Sequence, residues 1–275
     1  IVPNILGSCY GTTGPLTVNP DTGEPYRIQF PPVTVRDMVT VQALLVQQLG
    51  IPRLAAVVGG SLGGMQVLEW AAMFPEMVER IIPIATSAAH SPWAIALNEI
   101  ARQAIFTDPA WQNGFYREQP RQGMALARMA AMISYRSFPS FLQKFQRDVV
   151  STQQAFPGVT ETPQFQVESY LHYQGQKFYQ RFDANSYLFL TRAMDWHDVG
   201  QGRGGLETVL ASITQPALVV GIDSDVLYPV AEQKYLATHL PNSTYAEITS
   251  LHGHDAFLIE WDQVNGLIRQ FLSDW

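Results

Sequence analysis

The sequence predicts an α/β protein with a mostly parallel sheet and a helical insertion between two of its strands. Short apolar runs at residues 54–58, 80–86 and 216–222 are typical of strands buried on both faces. Helical patterns separate the first two runs, which indicates crossovers within one sheet. Residues 89–205 break the alternation, because they contain helical stretches and no convincing strand. We therefore expect a core formed by 1–88 and 206–275 and a helical lid formed by 89–205.

Composition narrows the class of protein further. The 275 residues are 47% hydrophobic and 15% charged, which is typical of a globular chain. No apolar stretch approaches the roughly 18 residues that span a bilayer, so we expect no membrane partner. The net charge of −7 disfavours nucleic acid as a partner. A single cysteine, Cys9, excludes an internal disulfide and favours a reducing, cytoplasmic setting.

The N-terminal third begins with a long loop and then a helix. The opening IVPNILG is typical of the end of a buried strand, and we expect N-terminal strands of the sheet to be missing before it. Residues 5–33 are dense in Gly, Pro, Thr and Asn, which predicts an ordered loop. Thr34 is a candidate N-cap with Asp37 three residues on, and Gly50 is a candidate stop for the helix between them.

The remaining elements of the core follow the same alternation. The segment after residue 61 is helical in composition and ends at Pro75. After the strand at 216–222, VAEQKYLATHL predicts a helix and STYAEI a strand. The last helix is predicted from Ala256 to the end of the chain.

The segment VVGGSLGG at 57–64 contains the motif G-x-S-x-G between a predicted strand and a predicted helix. That context is typical of a nucleophile elbow, in which a tight turn presents the serine at a helix N-terminus. Gly59 and Gly63 would avoid collision across the turn, while Gly60 and Gly64 would let strand and helix approach. The alternative is a glycine-rich turn that happens to contain Ser61. A phosphate-binding loop is disfavoured, because no Lys-Ser/Thr pair follows the glycines.

A serine nucleophile needs a histidine base and a carboxylate that orients it, in the chain order Ser, Asp or Glu, His. The loop after the predicted strand at 216–222 contains two aspartates, and the loop after the predicted strand STYAEI contains two histidines. Asp225 is favoured over Asp223 because it lies four residues before Pro229, which is expected to open the next helix. His254 is favoured over His252 because it follows a glycine and directly precedes a helix.

The other histidines show no metal-ligand spacing, so no metal is predicted; they are His90, His172, His197 and His239.

Several long stretches resemble one enzyme family. NILGSCYGTTGP, VVGGSLGGMQVLEWA, SPWAIALNEIARQAI, DSDVLYP and GHDAFL are similar to segments of the homoserine O-acetyltransferases of methionine biosynthesis, a branch of the α/β-hydrolase fold. The matching stretches run from residue 4 to the last helix. The resemblance implies an α/β-hydrolase fold and acyl transfer from acetyl-CoA, a co-substrate, with no permanently bound cofactor.

The resemblance also implies roles for particular residues. Ser61 would be the nucleophile, His254 the general base and Asp225 its orienting carboxylate, in a ping-pong reaction through an acyl-enzyme. The backbone amide of Leu62 would be one oxyanion donor. The family carries the second donor upstream of residue 1, so we expect this chain alone to fold poorly or to be inactive.

Homoserine recognition is likewise implied by the family. An arginine and a tyrosine seven residues apart, and the aspartate after the histidine, correspond here to Arg128, Tyr135 and Asp255. A guanidinium suits the substrate carboxylate and a carboxylate suits its ammonium group. Without the resemblance, Arg128 would be interpreted as a solvated helix residue and Tyr135 as a core aromatic.

The predicted lid is more basic than the rest of the chain. Residues 89–205 hold 11 of the 17 Lys and Arg residues and carry a net charge of +2, against −9 elsewhere. A relatively positive lid would suit the phosphates of CoA. The family further implies a homodimer through this insertion.

Three other functions remain open from the sequence. The same machinery could use succinyl-CoA, because the acyl pocket is not readable from these motifs. It could also release free acid as a plain serine ester hydrolase. A catalytically silent binding protein on the same fold is disfavoured by the intact set of Ser61, Asp225 and His254.

Overall fold

A four-stranded parallel sheet forms the centre of the molecule, as predicted. The structure is a computed structural model of the chain, in which residues 1–153 and 162–273 are described. The strands of this sheet are β1 (Val57–Gly60), β2 (Ile81–Ile84), β5 (Ala217–Ile222) and β6 (Ser243–Ile248). They lie in the order β1-β2-β5-β6, and every neighbouring pair is parallel.

Helices cover the sheet and form most of the insertion between β2 and β5. The helices around the sheet are α1 (Val35–Gln48), α2 (Leu62–Met73), α8 (Leu206–Ser212), α9 (Val230–His239) and α10 (Trp261–Ser273). Those of the insertion are α3 (Pro92–Phe106), α4 (Arg121–Ser134), α5 (Phe138–Phe145), α6 (Gln166–Tyr179) and α7 (Ala184–Asp195). Within the described ranges, no helix is long and apolar enough to cross a bilayer.

The start of α1 follows from its first residues. The Thr34 hydroxyl accepts from the Asp37 amide, and the Asp37 carboxylate accepts from the Thr34 amide at 2.8 Å. This reciprocal capping box satisfies two donors that the first turn of a helix leaves free. The predicted N-cap is therefore confirmed.

Three predicted elements differ from the structure. The strand expected at 54–58 lies at Val57–Gly60, and Leu54 makes only a single bridge to the segment before β2. The prediction of an insertion without strands is wrong, because β3 (Val149–Gln153) and β4 (Thr162–Phe165) pair antiparallel within it. The β3 sequence is rich in the β-branched residues that favour strands. The helical patterns on both sides of this hairpin made it difficult to recognise from the sequence.

The helix expected from Ala256 to the end is two elements. A 3₁₀-helix covers Gly253–Leu258, and α10 begins only at Trp261. The tight 3₁₀ turn allows the chain after β6 to change direction before α10 packs against the sheet.

The insertion closes on itself at its base. Residues 88–90 and 197–199 run antiparallel, since the Val199 amide donates to Ala88 O and the His90 amide donates to His197 O, at 3.0 and 2.9 Å. A separate apolar cluster forms between α3, α4, α6 and α7; its buried members are Ala101, Ile105, Tyr116, Met124, Ala127, Phe178, Ala184 and Leu188. The boundaries of 89 and 205 stay a prediction.

β1 forms one edge of the described sheet. Val58 on this strand is half exposed. The strand end predicted at IVPNILG is not seen: residues 1–5 carry no regular structure, and Ile1 and Val2 are exposed. The expectation that further strands precede this segment stays a prediction.

Candidate active site

Ser61 occupies a strained corner between β1 and α2. Its backbone has φ 56° and ψ −122°, a region that residues with a side chain rarely adopt. The turn is held from the neighbouring strand, because the Ser61 amide donates to Ile84 O at 2.9 Å and the Thr86 hydroxyl donates to Ser61 O at 2.8 Å. The sequence prediction of a sharp strand–turn–helix corner at this serine agrees with this geometry.

The glycines around the corner differ in how much space they leave for a side chain. A Cβ on Gly59 would overlap the backbone of Gly63, so residue 59 cannot carry a side chain. A Cβ on Gly63 would meet nothing within 4 Å, so the prediction of a two-sided collision is wrong for that residue. A Cβ on Gly60 would lie 2.6 Å from Phe257, and one on Gly64 would strike a threonine beyond β2. Close approach therefore requires Gly60 and Gly64.

His254 and Asp225 meet at the carboxyl ends of β6 and β5. His254 Nδ1 lies 2.7 Å from Asp225 Oδ2, and the two side chains are 6% and 0% exposed. Asp225 Oδ1 accepts from the amides of Leu227 and Tyr228 at 2.8 and 2.9 Å. Both oxygens of the buried carboxylate are thus satisfied, and the imidazole is fixed with Nε2 as its free nitrogen.

The competing residues lie in turns next to this pair. Asp223 Oδ1 accepts from the Ser250 amide at 3.0 Å, which is the turn role considered for it from the sequence. His252 Nδ1 lies 3.5 Å from an Arg136 nitrogen. Asp225 and His254 are therefore the Asp–His pair that the structure brings together.

Tyr228 places the serine and the histidine beside one side chain. Its ring centroid lies 5.2 Å from that of His254. Burial raises the pKa of its hydroxyl well above the usual range, and the neighbouring Ser61 side chain opposes the rise. Tyr135 and Phe257 complete an aromatic enclosure, with centroids 5.8 and 5.5 Å from the imidazole. The enclosure excludes water from one side of the candidate base.

The residues carried over for substrate binding lie beside this enclosure. Arg128 is half-buried, and its guanidinium lies 5.5 Å from the ring centroids of Tyr135 and Phe178. Among residues 1–153 and 162–273, no carboxylate lies within ion-pair distance of it. The Asp255 amide donates to Tyr135 O at 3.3 Å. Burial raises the pKa of Tyr135, an effect that Arg128 opposes and Asp255 reinforces. A cation without an anion is suited to an incoming carboxylate.

Arg136 was missed by the sequence reasoning. Its Nε lies 3.3 Å from Asp255 Oδ2, and its side chain is 22% exposed. The next residue, Ser137, donates its hydroxyl to Leu251 O. The end of α4 is thereby fastened to the histidine loop, and Asp255 is held by a cation that a substrate ammonium would have to share. No motif marked Arg136, because its partner lies more than a hundred residues away.

Glu232 on α9 is a second residue that no motif marked. Burial raises the pKa of its carboxyl to about 7, Asp225 adds to the rise, and a hydrogen bond with Ser91 opposes it. This acid therefore titrates near neutral pH close to the orienting carboxylate.

We expect Glu232→Gln to be more stable than the parent at pH 8 and nearly equal to it below pH 4.5. The folded carboxyl keeps its proton up to about 7 while the unfolded one loses it near 4.5, so its contribution to stability is lost as the pH rises across that window. Allowing for its partial exposure, the difference in unfolding free energy at pH 8 should be about 1 kcal/mol. Urea unfolding at several pH values measures it. The exposed Glu76→Gln is the control and should show no such trend.

The start of α2 provides a free backbone donor beside Ser61. Leu62 is the first residue of α2, so its amide has no partner within the helix and lies at the positive end of the helix dipole. Among the described residues, no group of three or more His, Cys, Asp or Glu side chains is placed to hold a metal.

Comparisons with known proteins place this geometry in a family. The model of the alpha/beta hydrolase fold matches residues 1–260, which confirms the predicted fold class. The homoserine O-acetyltransferase of Trichormus variabilis is 54% identical over 273 residues, covering 98% of this chain and 73% of that protein. That of Moorella thermoacetica is 48% identical, covering 100% and 74%.

Solved structures similar to this chain include a homoserine O-acetyltransferase and also an esterase. A homoserine O-acetyltransferase from Bacillus anthracis has a TM-score of 0.89 at 28% identity, covering 95% of this chain and 71% of that one. Esterase E22 has a TM-score of 0.86 at 31% identity, covering 95% and 72%. The same fold thus serves proteins described as a transferase and as a hydrolase.

Proposed function

Because this chain belongs to the homoserine O-acetyltransferase family of the α/β-hydrolase fold, we propose that it transfers an acetyl group from acetyl-CoA to the hydroxyl of L-homoserine. The observation that carries the choice of acceptor is Arg128, a half-buried cation without an anionic partner among the described residues. It lies beside Tyr135, whose ring contacts the candidate base.

In the first half-reaction, Ser61 attacks the thioester. His254 Nε2 takes the Ser61 proton as the serine oxygen bonds to the acetyl carbon. The carbon–sulfur bond then breaks, the sulfur takes the proton from His254, and CoA leaves as the free thiol. Asp225 stabilises the imidazolium through the 2.7 Å contact with Nδ1. The Leu62 amide would stabilise the oxyanion.

In the second half-reaction, homoserine replaces CoA. His254 takes the proton of the homoserine hydroxyl, whose oxygen attacks the acyl-enzyme carbonyl. The bond to Ser61 breaks, and the serine oxygen recovers the proton. Water competes at this stage, so transfer depends on an acceptor that is held in place and on a site that excludes solvent.

The acceptor would be held at both of its charged ends. The Arg128 guanidinium would pair with the carboxylate, and Asp255 would hold the ammonium group. Tyr135 would separate the two and pack against the substrate.

Replacing Arg128 with leucine should raise KM for homoserine 10- to 100-fold, since a charge-assisted hydrogen bond contributes roughly 1.5–3 kcal/mol. Formation of the acyl-enzyme should be nearly unchanged, because the acyl donor does not need this cation. Steady-state rates against homoserine concentration give the first value, and stopped-flow acylation gives the second. Arg121→Leu on the same helix, with a 64% exposed side chain, is the matched control. Equal KM values in both variants would contradict the proposed carboxylate site.

A plain ester hydrolase is the second candidate, since esterase E22 is 31% identical and shares the fold. One experiment separates the candidates: incubation with acetyl-CoA or succinyl-CoA, with and without homoserine, and identification of the products by mass. The proposal predicts free CoA and O-acetylhomoserine from acetyl-CoA. Free acid irrespective of homoserine would indicate the hydrolase, and O-succinylhomoserine would indicate the other donor.

We also infer a homodimer through the insertion of 89–205, in the cytoplasm. Large apolar side chains exposed on this part of the chain support the dimer: Trp93, Ile100, Phe115, Leu126, Ile133, Phe138, Leu142 and Tyr173. Sedimentation equilibrium tests it, and a monomer at micromolar concentration would overturn it.

A further inference from the structure

A cavity of about 260 Å³ lies between α5, the first turns of α6 and the loop that carries His254. His252, two residues before the candidate base, forms part of its wall. Arg136 forms another part, and its Nε lies 3.3 Å from Asp255 Oδ2. The cavity therefore borders the candidate active site. We call it the α5 pocket, and the residues that define it are Arg136, Phe141, Lys144, Phe145, Tyr170 and His252.

The charges around the α5 pocket favour an anion. Lys144, in the last turn of α5, has no carboxylate within ion-pair distance among residues 1–153 and 162–273. Arg136 supplies a second cation, although Asp255 balances part of its charge. In the part of the chain that the structure describes, no Asp or Glu belongs to the pocket wall. A concave surface with cations and no acidic side chain attracts phosphate groups.

His252 adds a hydrogen-bond donor beside these cations. Arg136 Nη1 lies 3.5 Å from His252 Nδ1, and a guanidinium can only donate. The neutral imidazole therefore accepts at Nδ1 and carries its proton on Nε2. Among the described residues, Nε2 has no hydrogen-bond partner, so it is free to donate to an anion in the pocket.

Three aromatic rings form a further wall of the α5 pocket. The Tyr170 ring centroid lies 5.0 Å from that of Phe145 and 6.4 Å from that of Phe141. Lys144 Nζ lies 4.4 Å from the Tyr170 ring centroid. The lysine stem is flexible, so its ammonium can turn to a phosphate and leave the ring face to a planar base. An aromatic platform next to cations is the combination that binds nucleotides.

We propose that the α5 pocket binds the adenosine phosphate end of the acyl donor. Lys144 and Arg136 pair with its phosphate groups, and His252 Nε2 donates to one of them. The adenine base stacks on the Tyr170 ring. This assignment rests on the proposed function only in taking a CoA thioester as the donor, and it requires no particular acceptor.

The size and place of the pocket agree with a donor that is bound in two parts. Its volume of about 260 Å³ is below the roughly 300–1,000 Å³ of sites that hold a whole drug-sized ligand, so it suits one end of a long molecule. Arg136 and Asp255 lie between the pocket and the candidate base. The thioester end therefore extends past them toward His254 and Ser61.

Lys144→Gln should lower kcat/KM for acylation by acetyl-CoA about 10-fold, because a charge-assisted hydrogen bond to phosphate is lost. Tyr170→Leu should cause a similar loss of about 10-fold through the missing stacking platform. Both variants should react at the parent rate with S-acetyl-N-acetylcysteamine, a thioester without the nucleotide. Stopped-flow acylation with each donor measures the two rates. Lys177→Gln, an exposed lysine on α6 outside the pocket, is the matched control.

Calorimetric titration with adenosine 3′,5′-bisphosphate tests the pocket without turnover. The Kd should rise about 10-fold in Lys144→Gln and in Tyr170→Leu and stay unchanged in Lys177→Gln, and saturating acetyl-CoA should displace the nucleotide. Lys144 is exposed, so its variant should keep the fold, and thermal unfolding checks the Tyr170 variant. Absence of binding, equal Kd values in the two lysine variants, or nucleotide that stays bound at saturating acetyl-CoA would each overturn the proposal.

Failure of the proposed function gives a different pattern in these experiments. Nucleotide binding that depends on Lys144, without transfer of the acetyl group to homoserine, would contradict the acceptor and support the α5 pocket. Normal transfer to homoserine, with acetyl-CoA no more efficient than S-acetyl-N-acetylcysteamine in the parent, would overturn the α5 pocket and leave the proposed function intact.

Discussion

Ser61→Ala should lower acyl transfer by at least about 10⁴-fold and abolish the acylation burst, with the fold unchanged. The loss should be large because, in the proposed mechanism, His254, Asp225 and the helix N-terminus all serve the attack by the serine oxygen, so removal of the nucleophile makes the rest ineffective. Steady-state transfer and mass spectrometry of the protein after incubation with acetyl donor measure it. The parent should gain one acetyl group, and the variant none.

Ser61→Gly separates the chemical from the conformational role of the same residue. It should be as inactive as the alanine variant, but more stable than the parent by about 1 kcal/mol, since glycine adopts φ 56° without strain. Alanine keeps a Cβ in the strained region and should not show this gain. A glycine variant less stable than the parent would mean that the corner is not strained, and residual acetylation of either variant would indicate another nucleophile.

The strained corner also explains why much of the site could be predicted from the sequence. Ser61 is flanked by glycines, most of which have local geometric causes. Asp225 follows the apolar strand β5 and His254 follows β6, and both are strands of the parallel sheet. Parallel strands bring their carboxyl ends to one edge of the sheet, so chain order predicted proximity.

The rest of the site depends on contacts that local patterns do not encode. His90 meets Tyr228 across 138 residues, because the antiparallel base of the insertion fixes where α3 begins over the sheet. Arg136 reaches Asp255 only because α4 ends against the loop after β6. No spacing in the sequence marks His90, because its partners, the phenol of Tyr228 and the carboxylate of Asp195, lie more than a hundred residues away along the chain.

Asp225→Asn should lower acyl transfer about 10³- to 10⁴-fold, because the asparagine side-chain amide cannot replace both oxygens of the carboxylate. Oδ1 of Asp225 accepts from two backbone amides, those of Leu227 and Tyr228. The asparagine oxygen has to take that position, because an NH₂ group there would oppose two donors. The NH₂ group then faces His254 Nδ1, which can only accept from it, and the proton moves to Nε2. The imidazole is left in the tautomer that cannot remove the Ser61 proton.

Asp223→Asn is the matched control, two residues away on the same loop. Asp223 accepts from a single amide, that of Ser250, and an asparagine oxygen can replace its carboxylate there. The activity of Asp223→Asn should stay within about twofold of that of the parent, because Asp223 does not hydrogen-bond to the His254 imidazole. The pH profile of Asp225→Asn should show no recovery toward high pH, because the amide does not titrate. Comparable losses in the two variants would contradict the assignment of Asp225 as the residue that sets the tautomer of His254.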